Sequence, residues 1–160
     1  MTDERVALRP VLDEDLPIFF EHQRDPKANA MAAFPARDRP TFMAHWARSL
    51  RDERNLLRAI VFDGQVAGNI VSWMGEGERD LGYWIGREFW GQGIATQALR
   101  AFLLVDRVRP LHAHVAVHNL GSLRVLEKCG FQRAGEHLVP ASEPGGPVKE
   151  FVLMLPAGPD

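Results

Sequence analysis

The sequence predicts an α/β domain with a mixed central β-sheet flanked by about four helices. Two β-rich runs flank Asp63–Gly64, a dipeptide that accepts the backbone angles of a tight hairpin turn. A glycine-rich turn at residues 86–93 separates an apolar run from a helix-like run, and strand-like and helix-like segments alternate after it. The 160 residues suit a single domain, which we place at residues 1–155 and follow with a frayed tail at 156–160.

The first half of the chain begins with a short strand, VALRP. DEDLPIFFEHQRD is predicted to be the first helix, because acidic residues open it and its apolar residues suit one face. After the loop FPARDRP, TFMAHWARSLRDE is predicted to be the second helix, with Phe42, Trp46 and Leu50 on one stripe. The hairpin LLRAIVFDGQVAGNIVSW follows it.

The second half continues with the strand LGYWIG, the third helix IATQALRAFLLVD, the strand LHAHVAVHN and the fourth helix LGSLRVLEKC. Gly130 is expected to end the fourth helix in a left-handed conformation. FQRAGEHLV and KEFVLML are the closing strands, separated by the loop PASEPGGP. The predicted element order is therefore β-α-α-β-β-β-α-β-α-β-β.

The composition is that of an ordinary globular protein, with 46% hydrophobic and 25% charged residues. A formal net charge of −2 argues against a nucleic-acid partner or an acidic membrane surface. Cys129 is the single cysteine, so an intrachain disulfide is excluded, and we interpret its side chain as buried. The segment MTDERVALRP lacks a hydrophobic signal region, and no apolar run approaches the ~20 residues of a membrane span. We therefore expect a cytoplasmic protein without a membrane partner.

Residues 86–98, GREFWGQGIATQA, form the most informative motif. A strand, a glycine turn and a helix in this order can present bare backbone N–H groups to a phosphate, although such a turn can also lack a ligand. A nucleoside-triphosphate loop is rejected, because the Lys and Ser/Thr that should follow the glycines are missing. A dinucleotide-binding loop is disfavoured, because Thr96 replaces the last small residue and the next strand ends in His118–Asn119 without an acidic residue.

Two motifs, GYWIGREFWGQGIATQALRAF and VHNLGSLRVLEKCGFQRAGE, resemble the Gcn5-related N-acetyltransferase (GNAT) superfamily. The branch that contains the ribosomal-protein-alanine acetyltransferases is the most similar, and the likeness in element order covers most of the chain. In that family the turn has the pattern Gln/Arg-x-x-Gly-x-Gly/Ala and binds the pyrophosphate of acetyl-coenzyme A. Gly93 and Ala95 fit this pattern, with Trp90 at its first position.

The resemblance implies how acetyl-coenzyme A is held. N–H groups of residues 91–96 would surround the pyrophosphate at the positive end of the third helix. The pantetheine arm would pair with the strand ending at Trp84 and Ile85, and a backbone N–H there would polarise the thioester carbonyl. Asn119 would contact the pantetheine arm and could also cap the fourth helix. The predicted cofactor-binding residues are Trp84, Ile85, Gly91, Gln92, Gly93, Ile94, Ala95, Thr96, Asn119 and Ser122. Arg124 or Lys128 could reach the adenosine 3′-phosphate.

Ser122 and Trp84 are the predicted catalytic residues. A Tyr in the fourth helix often protonates the departing thiolate in this family, but Leu126 occupies the matching position here. Ser122, one turn earlier, is therefore the candidate donor to the coenzyme A sulfur; the alternative is a serine that only satisfies backbone groups. We interpret Tyr83 as core packing, and Trp84 is expected to point to the opposite face.

The general base is poorly marked. An α-amine with a pKa of ~8 is partly neutral at pH 7, whereas a lysine amine at ~10.4 needs more help. Glu76, Glu78, Asp80 and Glu143 are candidates, although a solvated loop charge is the favoured interpretation of each, and His118 is a further candidate.

His112, His114 and His118 alternate onto one strand face, which formally permits a metal site. Because nothing at suitable spacing adds a carboxylate or thiolate, we predict no metal.

The sequence thus predicts an N-acetyltransferase that moves the acetyl group of acetyl-coenzyme A to a primary amine by direct attack in a ternary complex. The amine would belong to a protein N-terminus or a small molecule, and a homodimer is left open. The acceptor mouth is expected between the first two helices, the loop around Phe34 and the loop at 140–147, with Phe42, Trp46 and Trp73 as lining candidates. A non-catalytic module that senses acyl-coenzyme A is the alternative.

Overall fold

The computed structural model describes residues 5–139 and 147–157, within which seven strands form one mixed sheet with five α-helices. The strands are β1 (Val6–Pro10), β2 (Leu56–Phe62), β3 (Gln65–Met74), β4 (Arg79–Ile85), β5 (Leu111–Ala116), β6 (Gln132–Val139) and β7 (Val148–Leu155). The helices are α1 (Leu16–Gln23), α2 (Pro26–Ala32), α3 (Arg39–Arg51), α4 (Ile94–Val105) and α5 (Leu120–Lys128). Residues 140–146, which include Glu143, and 158–160 lie outside the described part. No described helix is long and apolar enough to cross a bilayer.

The α/β class and the order of the strands confirm the sequence prediction, but one helix was missed. Helix α2 follows Asp25, whose side chain accepts a backbone N–H of the first turn, and Pro26 occupies the first helical position. At seven residues, α2 is too short to show the apolar period by which the other helices were recognised. Helix α3 starts inside the predicted loop, because Asp38 caps it by accepting the N–H of Thr41 at 2.8 Å.

The strand order is β1-β2-β3-β4-β5-β7-β6, and β4 with β5 is the parallel pair. The predicted hairpin is confirmed: Asp63 and Gly64 have φ of 49° and 82° between β2 and β3. Pairing between β4 and β5 covers only residues 79–81 and 111–113. Beyond Leu81 the two strands diverge, and the sheet opens at its centre.

Apolar side chains fill both faces of the sheet. The larger cluster packs α4 and α5 against the sheet and includes Ile60, Ile70, Leu81, Leu99, Phe102, Leu111, Leu126 and Leu153. On the other face, Phe42 and Trp46 of α3 pack with Phe19 of α1. The predicted stripe was wrong for Leu50, which is 38% exposed. Residues four apart on a helix are rotated by about 40°, so the third member of the stripe has turned away from the sheet.

A buried ion pair fixes the start of β4. The Arg79 guanidinium lies 2.7 Å from the Asp106 carboxylate after α4, and Ser72 of β3 donates to the same carboxylate at 2.5 Å. Burial alone would raise the pKa of Asp106, but the hydrogen bonds from Ser72 and Arg79 outweigh it, so the pKa lies below its ordinary value. The ion pair therefore ties two central strands to the end of a helix.

At the end of α5, the backbone conformation of Gly130 is as predicted, but the burial of Cys129 is not. Gly130 has a φ of 97°, as expected for a left-handed helix end. Cys129 is half-buried rather than fully buried, and burial raises the pKa of its thiol. A thiol kept in its neutral form is a weak nucleophile.

Candidate active site

The turn before α4 carries a row of backbone N–H groups without an internal acceptor. Gly91 and Gly93 have φ of 78° and 75°, a conformation that other residues rarely adopt. Within the described residues, none of the N–H groups of residues 91–96 donates to an acceptor, and no side chain caps α4. An added methyl at Gly91 would meet no heavy atom within 4 Å, so the turn faces open space. The positive end of the α4 dipole points at that space, an arrangement that favours the binding of an anion.

A cavity of about 430 Å³ adjoins this turn, and we call it the turn cavity. Its wall includes Gly91, Gly93, Ile94, Ala95, Thr96, Ile85 and Trp90. Arg124 and Lys128 of α5, the two residues predicted to reach the adenosine 3′-phosphate, also line this cavity. Gln92 is exposed and does not line the cavity, so its predicted role concerns its backbone alone. The cavity thus combines bare N–H groups with two cationic side chains.

The free edge of β4 forms a second part of the site. Gly86 donates its N–H to Ala67 of β3 at 2.9 Å. Because backbone groups alternate sides along a strand, the N–H of Trp84 also faces β3, whereas those of Tyr83 and Ile85 face the opening toward β5. On that edge the Ile85 carbonyl accepts the indole N–H of Trp90 at 2.9 Å. An extended ligand in the opening could therefore pair with β4 at Tyr83 and Ile85.

Close approach of two backbones keeps this edge in place. A methyl group at Gly68 of β3 would collide with the carbonyl oxygen of Trp84. Gly68 was not among the residues predicted from the sequence. An isolated glycine inside a strand can signal such an approach, but the partner backbone is known only from the fold.

A second cavity of about 520 Å³ lies on the sheet face that α3 covers, and we call it the aromatic cavity. Its wall includes the predicted acceptor-side residues Phe34, Phe42, Trp46 and Trp73. The two cavities share five wall residues: Ala32, Tyr83, Trp84, Asn119 and Ser122. Trp84 is held there by its indole N–H, which donates to the His22 carbonyl at 3.2 Å. A molecule in either cavity can therefore contact a molecule in the other.

Tyr83 and Ser122 form a hydroxyl pair at this junction, with their oxygens 2.7 Å apart. The Asn119 side chain accepts the N–H of Ser122 at 3.3 Å, so the predicted helix cap exists. Burial raises the pKa of Tyr83 to about 12, which keeps its phenol protonated at neutral pH. The sequence pattern favoured core packing for Tyr83. Only the folded chain shows that a phenol from β4 reaches α5, where Leu126 leaves the helix without one.

Acidic and imidazole side chains also gather at the wall of the aromatic cavity. His114 Nε2 lies 3.1 Å from a Glu78 oxygen and 3.4 Å from an Asp80 oxygen, and His137 lies 3.1 Å from Glu150. We call this group the carboxylate–imidazole cluster: Glu78, Asp80, His112, His114, His137 and Glu150. Of these, His114 and Glu150 line the aromatic cavity. Glu150 was not considered from the sequence, because its proximity depends on the pairing of β7 with β5.

Glu78 and Asp80, the two neighbouring carboxylates at the start of β4, influence each other's pKa. Burial, together with Glu78, raises the pKa of Asp80 to about 6. Hydrogen bonds to Asp80 and His114 lower the pKa of Glu78 below its ordinary value. Two neighbouring acids titrate as a pair, so the cluster can accept a proton near neutral pH.

The other candidate bases lie elsewhere. His118 is exposed, its ring nitrogen lies 3.0 Å from the Ala30 carbonyl, and it lines neither cavity. Glu76 is exposed in the loop before β4.

The expectation that no carboxylate lies at a suitable distance from the strand histidines was wrong. Carboxylates do lie beside the strand histidines, and two triads have ligand atoms within 4.8 Å of one another: His114, His137 and Glu150, and Glu78, Asp80 and His114. Imidazole and carboxylate ligands are of the type that zinc accepts. The expectation that the protein works without a metal stays a prediction.

The profile of the family described as "Acetyltransferase (GNAT) domain" matches residues 5–132, and the chain belongs to this family. YjcK of Bacillus subtilis (strain 168), provisionally named an N-acetyltransferase, is 41% identical over 61 residues, 34% of this chain and 33% of its own. YdaF of the same organism, provisionally named a ribosomal N-acetyltransferase, is 30% identical over 105 residues, 61% of this chain and 57% of its own. The matches thus span about a third and just over half of these relatives.

Solved structures share the fold over nearly the whole chain. A spermidine N-acetyltransferase from Vibrio cholerae, solved with CoA and spermine, has a TM-score of 0.83 at 14% identity over 97% of both chains. The microcin C7 self-immunity acetyltransferase MccE, solved with acetyl-CoA and AMP, has a TM-score of 0.76 at 18% identity over 95% of this chain and 92% of its own. These likenesses confirm the predicted acetyltransferase fold.

Proposed function

We propose that this protein transfers the acetyl group of acetyl-coenzyme A to a primary amine by direct attack in a ternary complex. The observation that carries the proposal is the junction of the two cavities at Tyr83, Trp84, Asn119 and Ser122. One cavity begins at bare N–H groups suited to a pyrophosphate, and the wall of the other includes groups able to accept a proton. A thioester and an amine held in them would meet at the junction, as direct transfer requires.

The cofactor is placed by the turn and by β4. The N–H groups of residues 91–96 bind the pyrophosphate, and Arg124 with Lys128 neutralises the 3′-phosphate. The pantetheine arm pairs with the free edge of β4, and the N–H of Ile85 donates to the thioester carbonyl. CoA and acetyl-CoA in two structures of this fold support a cofactor of this class.

The reaction forms one bond and breaks another. The neutral amine nitrogen attacks the thioester carbon, and the N–H of Ile85 stabilises the resulting oxyanion. Collapse of the tetrahedral intermediate breaks the carbon–sulfur bond, and the Tyr83–Ser122 pair protonates the departing thiolate. The proton of the amine passes to the carboxylate–imidazole cluster through His114 or Glu150, which line the aromatic cavity. Cys129 takes no part, because its thiol is held neutral and lines neither cavity.

The acceptor is a protein N-terminus or a small-molecule amine. Similarity to YdaF and to the ribosomal-protein-alanine branch supports a protein N-terminus, whose amine is partly neutral at pH 7. Spermine and AMP in structures of the same fold show that small molecules are bound by its members.

The test is release of coenzyme A thiol from acetyl-coenzyme A by the purified full chain, with a panel of amines and mass spectrometry of each product. Acceptor-dependent thiol release with an acetylated amine supports the enzyme. Tight binding of acetyl-coenzyme A without acceptor-dependent release across peptides, amino acids and polyamines would instead support the sensor. Failure to bind the cofactor at all would contradict both functions.

A further inference from the structure

Arg37 lines the aromatic cavity and has no carboxylate partner among residues 5–139 and 147–157. It is half-buried, lines the cavity, and its guanidinium carbon stacks 4.9 Å from the centre of the Phe34 ring. Its carbonyl accepts the Gln23 side chain at 3.4 Å, which anchors its backbone. Among the described residues, no Asp or Glu forms an ion pair with it. Removing such a guanidinium further from water is costly unless an anion pairs with it.

The groups around Arg37 add positive rather than negative charge. Burial, and next the nearby Arg48, lowers the pKa of Arg37, although a guanidinium stays charged at neutral pH. Burial, and then the same two arginines, lowers the pKa of His45 in the cavity wall. Asp52 also lines the cavity, but Arg54 already binds its carboxylate at 2.8 Å. Within the described part of the chain, the charged groups on this side of the cavity are therefore mainly positive.

The positive side lies close to the junction with the turn cavity. The Phe34 ring that Arg37 covers also packs edge-to-face on the Trp84 ring, with centroids 6.1 Å apart. Two aromatic contacts thus connect the guanidinium to a residue that lines both cavities. His114 and Glu150 of the carboxylate–imidazole cluster belong to the same cavity wall. The wall of the aromatic cavity therefore carries both a cation, Arg37, and an acid, Glu150.

We propose that the acceptor is a compact amine that also carries an anionic group, a carboxylate or a phosphonate, and that Arg37 binds this group. The inference rests on the proposed function and names the substrate class of the same site. Arginine offers two parallel N–H donors to an oxyanion, and the neutral His45 imidazole can add a third donor. A polyamine has no group for Arg37 and is repelled by it, so a positively charged chain is a poor acceptor here.

The experiment compares kcat/KM for matched amines with Arg37→Gln, Arg37→Lys and wild type. The pairs are β-alanine with β-alaninamide, and 2-aminoethylphosphonate with ethanolamine; spermidine represents polyamines. For each amine, kcat/KM of the variant is divided by kcat/KM of the wild type, so that differences in amine pKa cancel. Arg39→Gln is the control, since Arg39 also stacks on an aromatic ring, that of Phe20, but lines neither cavity.

We expect Arg37→Gln to lower kcat/KM about 10- to 100-fold for the two anionic amines and less than about twofold for the neutral ones. Arg37→Lys should retain part of the activity with anionic amines, and Arg39→Gln should retain all of it. An equal loss for both kinds of amine would overturn the proposal, and so would spermidine as the best acceptor. The carboxylate and phosphonate pairs show which anion is preferred.

A binding readout separates this proposal from the proposed function. If no amine supports acetyl transfer, calorimetry with N-acetyl-β-alanine and N-acetyl-β-alaninamide in the presence of coenzyme A still tests Arg37. Preferential binding of the anionic ligand by wild type, lost in Arg37→Gln, supports the anion site even without catalysis. Equal binding of both ligands, or binding of neither, would refute it. An active enzyme whose Arg37 variants ignore ligand charge would refute the anion site and leave acetyl transfer intact.

Discussion

The hydroxyl oxygens of Tyr83 and Ser122 lie 2.7 Å apart where the two cavities meet, and they come from different elements, β4 and α5. Helix α5 carries Leu126 where the family often has a catalytic tyrosine, and Leu126 is buried in the core. A phenol therefore reaches this position from β4 rather than from α5.

Removing either hydroxyl should slow turnover while leaving cofactor binding intact. We expect Tyr83→Phe to lower kcat about 100-fold or more, because the thiolate then departs without its proton donor. Ser122→Ala should lower it less, since the phenol remains. Thiol release at saturating acetyl-coenzyme A measures kcat, and calorimetry measures binding. Because the two residues act as one unit, the double variant should be hardly slower than Tyr83→Phe alone. Fully additive losses would contradict the pair.

Gly93→Ala should weaken binding of acetyl-coenzyme A. Alanine at a φ of 75° costs about 1–2 kcal/mol, and relief of that strain would turn the neighbouring N–H groups away from the pyrophosphate. We expect the dissociation constant, measured by calorimetry, to rise at least ~10-fold. Gly135→Ala is the control, because an added methyl there meets no heavy atom within 4 Å and the residue lies on β6. Unchanged affinity in Gly93→Ala would argue against the turn as the phosphate site.

The pH dependence of kcat/KM should reflect protonation of the carboxylate–imidazole cluster. Since the pKa of Asp80 is raised to about 6, the pair with Glu78 can accept a proton above pH 6 and loses this ability below it. Protonation of the amine alone gives the plot of log kcat/KM against pH a slope of about one. Below pH ~6, protonation of the cluster should raise this slope toward two. Asp80→Asn should remove this steepening, whereas Glu76→Gln in the exposed loop should retain it. A wild-type profile with a slope of one down to pH 5 would exclude the cluster as proton acceptor.

Asp106→Asn should destabilise the fold by about 3–5 kcal/mol at pH 7, because it leaves the Arg79 guanidinium buried without its counter-charge. The folded-state pKa of Asp106 is lowered, so its contribution is present above the unfolded pKa of about 4 and is lost as the pH falls below that value. Urea unfolding should therefore show a difference between wild type and variant that narrows in acid. Asp63→Asn, at an exposed ion pair with Arg5, should change stability little. An equal effect of both variants would contradict the structural role of the buried pair.

Local patterns predicted most of the fold and half of the candidate site. The hairpin at Asp63–Gly64 and the turn at residues 91–96 could be read directly, because their backbone conformations depend on glycine and on residues next to it. The two errors also have local reasons. Leu50 was predicted on the buried stripe, but residues four apart rotate gradually around a helix, and Leu50 is exposed. Helix α2 was missed because seven residues are too few to show an apolar period. These errors concern one short helix and the exposure of one residue, and they leave the fold class unchanged.

The sequence by itself determined the α/β class, the family motifs and the glycine turn before α4, since each depends on residues near one another in the chain. Only the tertiary structure decided which side chains meet: Tyr83 with Ser122, Glu78 and Asp80 with His114, and Arg37 with Phe34 and Trp84. These contacts join residues distant in sequence through strand pairing and helix packing. The physical reason is that charge and proton transfer depend on distance in space, and a linear pattern carries no such distance until the sheet is assembled.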